Sequence, residues 1–511
     1  MIAAALTLLA AAAPPSAPAP GNSALLDALT TTQLILITDW TLKVLIALRV
    51  IMNRRPVPVT LAWLMVLLIP VPYVGVVLYA IIGEVRLGRR RLARYRRLTE
   101  GFAARATFLW RARSHHWTAE TELYKHISEV ASRVGEMPPL RGNTVELFSG
   151  AQTFIDALIR DIDAAASRVH LFFYIWIDHG PGLQVAEAVE RAARRGVECR
   201  VMVDAVGSKW LLFSRIPERL RRAGVKFAVS LPVNPIRMLF ARLDLRNHRK
   251  IAVIDGWTAY TGSQNIAWTT FRRKGLRKKG PYIDAMARVT GPAAQAIEVV
   301  FLRDWEVESD EALGDTLEQL LPERPTPEGG SVIQVVPSGP DAPPQAMIEA
   351  FITTIYSARR ELIMTTPYFV PDEPSKHALI AAAMRGVEVT LVIPDEHDSA
   401  VVAAAARAHF QDLLEAGVRI KHHTSGLLHS KTLTVDASIG LIGSANFDLR
   451  SFVLNFELSL FIFDADVASQ LRMLQMSYME DSVDVFLEEW RARPYWRRAL
   501  DDAARLLGPL L

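Results

Sequence analysis

Residues 248–265, HRKIAVIDGWTAYTGSQN, and residues 429–446, HSKTLTVDASIGLIGSAN, are two readings of one pattern. Each opens as His-x-Lys-x-x-x-x-Asp, with His248, Lys250 and Asp255 in the first copy and His429, Lys431 and Asp436 in the second. Each closes on Gly-Ser-x-Asn, giving Ser263 and Asn265, then Ser444 and Asn446. The separation from His to Ser is identical in the two copies (263 − 248 equals 444 − 429). At this composition one bare match arises by chance in roughly one such chain in a hundred. Two matches with the same tail are therefore no accident, and they point to one site assembled from two halves.

Around the motifs the chain repeats loosely. Ser167-Arg168 precedes the apolar run Val169–Trp176, and Ser357-Ala358-Arg359 precedes Leu362–Val370. Arg195-Gly196-Val197-Glu198 and Arg385-Gly386-Val387-Glu388 each lead into another apolar run, at the same offset (385 − 195 equals 357 − 167). Arg222-Ala223-Gly224-Val225 matches Glu415-Ala416-Gly417-Val418. Strand, helix, Gly turn and strand recur in each half, which is the signature of βαβ units and predicts an α/β fold of two lobes with mixed, mostly parallel sheets. The first half holds an insertion around Pro232–Leu243, with Ile236, Met238, Leu239 and Phe240, that either touches lipid or packs on the core.

The chemistry follows from the residue types. His and Lys at i and i+2 share one face of a strand, and Asp255-Gly256 is a turn signal that sends a second strand back toward the Gly-Ser-x-Asn. Facing copies give two His, two Lys, two Ser and two Asn around one pocket, a set that suits a phosphodiester. The lysines supply positive charge, and Ser263, Asn265, Ser444 and Asn446 are candidate phosphate-binding donors; preorganised donors aimed at developing charge are commonly the largest catalytic effect. One histidine attacks phosphorus and the other protonates the leaving alkoxide, so they start in opposite protonation states and a bell-shaped pH profile follows. Each His needs an acceptor on its other ring nitrogen. Asp284, on the apolar stretch that follows the first motif, and Glu457, on the one that follows the second, are the candidates. Asp255 and Asp436 belong to the candidate catalytic set by membership of the motif, although the turn signal favours a structural role.

The remaining composition bounds the class. The chain of 511 residues has a net charge of +4, a weak argument for a polyanionic partner. Its one cysteine, Cys199, excludes an internal disulfide and reads as a buried thiol. The pairs His115-His116 and His422-His423 lack metal-site spacing, so no metal site is expected. Val59–Ile82 runs without a single charge and is long enough to cross a bilayer as a helix, with Pro70 and Pro72 as tolerated kinks. Gln33–Met52 is a second candidate, in which Asp39 and Lys43 stand i, i+4 and partly neutralise each other. Joined at Asn53-Arg54-Arg55-Pro56, the two form a predicted hairpin. Arg86, Arg89, Arg90, Arg91, Arg94, Arg96 and Arg97 follow it, which places the C-terminal portion on the cytoplasmic side, with this cluster against anionic headgroups.

The expected organisation is an Ala/Pro-rich leader (1–30), the hairpin and basic segment (31–98, helices about 33–52 and 59–82), a connecting segment (99–140), the first lobe (141–305), a Pro/Gly linker (306–330) and the second lobe (331–511). Leader residues Met1–Pro20 lack the positive n-region of a signal peptide. The C-terminal stretch with Trp490, Trp496, Leu506 and Leu507 reads as an amphipathic helix that closes the second lobe or lies on a membrane surface.

These residues resemble the phospholipase D superfamily and, within it, bacterial cardiolipin synthases of the phospholipase D type. The duplicated motif carries the first resemblance. Arg54-Arg55-Pro56 before Ala62-Trp63-Leu64, Ile82-Gly83-Glu84, Leu428-His429-Ser430-Lys431, Asn446 to Ser451, Asn455-Phe456-Glu457 and Thr366 to Pro371 carry the second. The resemblance implies a bilobal α/β/α fold, no cofactor, a phosphohistidine on His248 with His429 as the acid, and two phosphatidylglycerol molecules giving cardiolipin and glycerol. It implies a multi-pass protein of the bacterial inner membrane with lipid and not nucleic acid as partner. The rival readings are a hydrolytic phospholipase D, a phosphatidyltransferase with another acceptor alcohol, a nuclease, which should show a basic groove, and a non-enzymatic scaffold, which has no need of both histidines.

Overall fold

A computed structural model describes residues 22–507 except 54–56, 85–90, 96, 99–100, 102–109, 111–112, 119–120, 233–241, 243, 269–279, 310, 314–320, 322–323, 326 and 344. The leader Met1–Pro20, the turn Arg54–Pro56, the arginines 86, 89, 90 and 96, and the apolar insertion residues 236–240 lie outside the described residues. The chain divides into two compact units, Met1–Glu84 and Val85–Leu511.

In the first unit the helix Asn22–Met52 contains Asp39, Lys43 and Arg49. The uncharged stretch after it is not one helix. It forms Val57–Leu67 and Val74–Ile82, of 11 and 9 residues, about 16 and 13 Å long at 1.5 Å per residue. Pro70 and Pro72 break it, and among the described residues no helix is long and apolar enough to cross a membrane. That corrects the expected continuous helix over 59–82. A break exposes backbone groups, and here the Asp39–Lys43 pair (2.8 Å) meets them: Asp39 accepts from Tyr73 N at 2.7 Å and Lys43 donates to Ile69 O at 3.0 Å. The two short helices approach closely at Gly75, where a Cβ would stand 2.5 Å from Val66 O.

The second unit is built on one sheet. Its first-lobe strands are β1 (Leu140–Phe148), β2 (Arg168–Phe173), β3 (Glu198–Asp204), β4 (Lys226–Ser230), β5 (Lys250–Ile254), β6 (Thr258–Gly262), β7 (Tyr282–Ile283) and β8 (Met286–Thr290). The second lobe supplies β9 (Ser331–Ser338), β10 (Glu361–Thr365), β11 (Phe369–Val370), β12 (Glu388–Pro394), β13 (Arg419–His423), β14 (Leu427–Leu428), β15 (Thr432–Val435), β16 (Ile439–Gly443), β17 (Phe447–Asp448), β18 (Glu457–Phe463) and β19 (Ser482–Asp484). Fifteen strands run in the order β19-β13-β12-β10-β15-β16-β18-β9-β1-β8-β6-β5-β2-β3-β4, so the lobes share a continuous sheet across the β1–β9 pairing.

Among the described residues the parallel pairings in that sheet are β2–β3, β3–β4, β10–β12 and β12–β13, the βαβ units read from the repeat. The other pairings are antiparallel, because each motif is a hairpin (β5–β6, β15–β16) and the lobes meet through antiparallel neighbours. The expected mostly parallel sheet is therefore corrected to a mixed, mostly antiparallel one. The repeated glycines end the crossover helices in matching conformations: Gly196 and Gly386 have φ of 89° and 88°, a left-handed geometry that glycine adopts without a Cβ clash.

The helix Pro292–Ser309 is buried along its length from Pro292 to Val307. Phe301, Val300 and Ile297 share a core with Val335 of β9 and Leu458 and Leu460 of β18, so this helix ties the two lobes together. Cys199 is buried, with burial pushing its thiol up to about 12.

Candidate active site

Both motif histidines sit just before an inward strand, and each is held by the opposite lobe's backbone. Asn247 bridges Phe456 in parallel, and His248 N donates to Phe456 O at 2.8 Å. In the other half β14 pairs in parallel with β7, Leu428 opposite Ile283, and His429 N donates to Ile283 O at 2.7 Å. One residue beyond each pairing, a histidine lies beside a carboxylate of the other lobe. His248 Nδ1 stands 3.0 Å from Glu457 Oε2, and His429 Nδ1 stands 2.6 Å from Asp284 Oδ1. Asp284 and Glu457 each follow a motif in sequence, yet neither meets the histidine of its own motif. The structure exchanges the partners, because the register of two short parallel pairings decides them and no intra-lobe spacing does.

The serines also differ from expectation. Ser263 Oγ donates to Asp284 Oδ1 at 2.7 Å and accepts from Ala285 N at 3.0 Å. Ser444 Oγ donates to Glu457 Oε2 and accepts from Leu458 N at 2.9 Å. A hydroxyl has one proton, and here it goes to the carboxylate that orients a histidine. Ser263 and Ser444 therefore stand behind the carboxylates. The asparagines differ from each other: Asn265 Oδ1 accepts from Ile175 N at 3.0 Å, whereas Asn446 is buried and its Oδ1 has no partner among the described residues.

Lys250 and Lys431 are buried, and each Nζ donates to the carbonyl of its own motif histidine, at 2.5 and 2.6 Å. With one proton each so placed, an ammonium has two left to aim elsewhere. Burial pushes Lys250 down to about 7 and Lys431 down to about 8. Burial likewise pushes His248 down to about 4, against the pull of Glu457, and lowers His429. Burial would raise the carboxylates, but the histidines and lysines outweigh it, holding Asp284 at about 2 and Glu457 below its usual range. The lysine of each lobe acts on the histidine of the other, Lys431 on His248 and Lys250 on His429, so the four groups form one electrostatic cluster. The His248 and His429 side chains keep 12% and 11% of their surface exposed.

Asp255 and Asp436 are at the other end of the motif strands. Asp255 accepts from Ala166 N (2.9 Å), Ser167 N (2.7 Å), Ser167 Oγ (2.8 Å) and Arg168 N (2.9 Å). Asp436 accepts from Arg359 N (2.9 Å), Arg360 N (2.8 Å) and Glu361 N (2.9 Å). Both have positive φ, 50° and 52°, and tie the motif turn to the start of β2 or β10. They lie at a distance from the histidine cluster, in turn-fixing positions.

Three features carried no sequence signal. Tyr174 packs edge-on to His248 (ring centroids 4.8 Å apart) and Tyr282 to His429 (5.5 Å). Arg249, the middle residue of the first motif, points away from the pocket, donating to Glu457 O at 2.9 Å and pairing with the buried Asp304. Asn247 Nδ2 reaches the same Asp304 at 3.0 Å. Ser430 occupies the Arg249 position in the second motif, so only the first is backed by an ion pair.

The arrangement brings two oriented imidazoles and two lysine amino groups, one of each from either lobe, into one electrostatically coupled cluster. A family model described as "Cardiolipin synthase, PLD-like domain" matches residues 158–305 and 351–475, and "Phospholipase_D-nuclease N-terminal" matches residues 42–84. The chain is 39% identical over 479 residues to "Cardiolipin synthase A" of Serratia proteamaculans (strain 568), covering 92% of this chain and 97% of that protein. It is 40% identical over 491 residues, with the same coverage, to "Cardiolipin synthase A" of Pectobacterium carotovorum subsp. carotovorum (strain PC1). In fold it is similar to the crystal structure of phosphatidylserine synthase from Haemophilus influenzae Rd KW20, with a TM-score of 0.56 at 14% identity over 75% of this chain and 99% of that one. The chain belongs to the family of phospholipase D-like cardiolipin synthases.

Proposed function

We propose that this chain is a phosphatidyltransferase that makes cardiolipin from two molecules of phosphatidylglycerol. The observation that carries the reading is the exchanged pair of contacts, His248–Glu457 and His429–Asp284, which brings one oriented histidine from each lobe to one lysine-lined cluster. With Nδ1–H directed at its carboxylate, a histidine presents Nε2 to substrate.

In the first step His248 Nε2 attacks phosphorus, the bond from phosphorus to the glycerol oxygen breaks, and His429 gives its proton to that oxygen. The phosphatidyl group then rests on His248. In the second step neutral His429 takes the proton from a headgroup hydroxyl of another phosphatidylglycerol. The hydroxyl oxygen attacks phosphorus, the His248–phosphorus bond breaks, and both histidines return to their starting states. Lys250 and Lys431 hold the non-bridging oxygens, and Asn265 and Asn446 offer further donors. Ser263, Ser444, Asp284 and Glu457 position the histidines. The 2.6 Å contact with Asp284, shorter than that at Glu457, favours the cationic form on His429 and so its role as the acid. A substrate phosphodiester brings one negative charge to a cluster whose lysines and His429 are pushed down by burial, and so favours their protonated forms.

We assign the first unit to the bacterial inner membrane, with the second unit on the cytoplasmic side. Leu34, Ile37, Trp40, Leu45 and Leu48 are exposed along the helix Asn22–Met52, and a lipid environment is the one in which such a surface is stable. The Asp39–Lys43 pair then serves as an internal cap for the broken helices. Arg91 is not a headgroup contact in this arrangement, since it pairs with Glu308.

The test is product analysis with phosphatidylglycerol vesicles and purified full-length protein. Cardiolipin and glycerol are expected, with His248→Ala forming no labelled adduct from phosphatidyl-labelled substrate. Phosphatidic acid as the main product would favour the hydrolytic alternative.

A further inference from the structure

The first-lobe strands β2 and β3 end at Phe173 and Asp204, and Phe173 pairs with Lys250 where β5 begins. One edge of the sheet therefore carries the motif, and the loops after β2, β3 and β6 leave from it. Ser208 ties two of them together, its Oγ donating to Tyr174 O at 2.9 Å and accepting from Trp176 N at 3.0 Å. Tyr174 is the residue packed on His248. Beyond Ser208 the short helix Lys209–Leu212 turns outward, and Trp210 and Phe213 are 52% and 87% exposed. Trp268, just past Asn265, is 44% exposed and lies against Gly180, where a Cβ would meet its ring at 2.2 Å.

The second lobe does the same at the corresponding edge. The helix Ala400–Arg407 follows the end of β12, and the helix Tyr495–Leu507 packs on it through Ala405, Ala504 and the Arg407–Asp501 pair at 2.8 Å. Asp501 and Ala504 are the inward face. Large apolar side chains nonetheless point outward: Trp496, Leu500 and Leu506 are 59%, 60% and 50% exposed, beside the exposed Arg497, Asp502 and Arg505. A helix that met only water on this side would keep such apolar residues on its packed face. Cations border these side chains. Lys209 lies over the Trp210 ring at 5.1 Å, and Arg497 lies over Trp496 at 5.2 Å.

We infer that this motif edge, with Trp210, Phe213 and Trp268 on one lobe and Trp496, Leu500 and Leu506 on the other, docks on a phospholipid surface rich in anionic headgroups. The inference rests on the lipid-substrate reading for its purpose and on the exposed side chains for its location. Aromatic rings with adjacent cations suit the boundary between acyl chains and negative headgroups. A two-chain lipid can present its phosphorus to the histidines with its tails still in the bilayer only if the pocket mouth lies at that boundary. The docked face would also hold the second lipid at high effective concentration, favouring transfer over hydrolysis.

The test uses the full chain reconstituted in vesicles. Cys199 is buried and its thiol is pushed up to about 12, so a cysteine introduced at the surface is the reactive one. Phe213→Cys, Leu500→Cys and, as control, Met384→Cys, which ends a helix at the opposite edge of the second lobe, each receive a fluorescent label. In vesicles of phosphatidylcholine and phosphatidylglycerol, the labels at 213 and 500 are expected to be quenched by nitroxide-bearing lipid tails and shielded from iodide. The label at 384 should behave the other way. Iodide quenching at 213 and 500 equal to that at 384 overturns the proposal, as does equal lipid quenching at all three. Shielding at 213 and 500 that grows with protein density, without lipid quenching, would assign the face to a second copy and also overturn it. In a second arm, Trp210→Ser with Phe213→Ser should lower turnover of vesicle phosphatidylglycerol by about tenfold or more and leave a soluble short-chain analogue unaffected. Equal loss on both substrates overturns the proposal. Wild-type protein inactive on both would instead refute the lipid-transferase reading, while the labels still report docking.

Discussion

Exchanging one carboxylate for its amide separates the roles of the two histidines. Glu457→Gln keeps the size and an acceptor oxygen for His248 Nδ1. Ser444 Oγ keeps its bond from Leu458 N and can turn its proton to Leu458 O, at 3.4 Å, so the fold should be nearly unaffected. What is lost is the negative charge 3.0 Å from a ring that becomes cationic as it bonds to phosphorus. A hydrogen bond to a charged group contributes about 1.5–3 kcal/mol, and each 1.36 kcal/mol is tenfold in rate, so kcat should fall by roughly 10- to 150-fold. Asp284→Asn should cost a similar amount, with a different pH signature. If His429 is the acid, activity is lost as pH rises through its pKa. Asp284 raises that pKa, so removing its charge moves the alkaline limb to lower pH. If His248 is the nucleophile, activity is lost as pH falls through its pKa. Glu457 raises that one, so Glu457→Gln moves the acid limb to lower pH. The assay is kcat against pH for the wild type and both variants. A limb assignment opposite to this would reverse the roles of the histidines, and no limb shift in either variant would refute the electrostatic account.

Other outcomes follow from the same geometry. Orthophosphate or tungstate binding at pH 8 should take up about one proton, because an anion raises Lys250 and Lys431 from their depressed values of about 7 and 8; calorimetry in buffers of different ionisation enthalpy reads this directly, and zero uptake would contradict it. Asp255→Asn and Asp436→Asn should lower stability by about 1–3 kcal/mol each by weakening bonds to the start of β2 or β10, while kcat of the folded protein stays near wild type; denaturant melts beside kinetics decide. Phe301→Ala, in the buried helix between the lobes, should cost about 3–5 kcal/mol in the same melts.

Much of this was legible in the sequence because it is periodic. His and Lys two apart before an apolar run share a strand face, and Gly196 and Gly386 mark the same helix end in the two halves. Pairing between distant segments was not legible. Which carboxylate meets His248 depends on Asn247 bridging Phe456, and no spacing inside one lobe contains that register. The contacts of Ser263 and Ser444 are hidden for a related reason: proximity to the pocket does not reveal where a hydroxyl proton is directed, and here the acceptors lie 21 and 13 residues further on. Pro70 and Pro72 gave warning of a kink, but the full break into two short helices depends on Asp39 and Lys43 meeting the freed backbone groups from a neighbouring helix.

The crossed contacts of His248 and His429 have a genetic consequence. A duplicated half expressed alone would own a histidine without its acceptor and an acceptor without its histidine, so neither copy is a self-sufficient ancestor unless it pairs with a twin. Once fused, the repeats lose the freedom to diverge independently at these four positions, since a change in either is felt as a lost partner in the other.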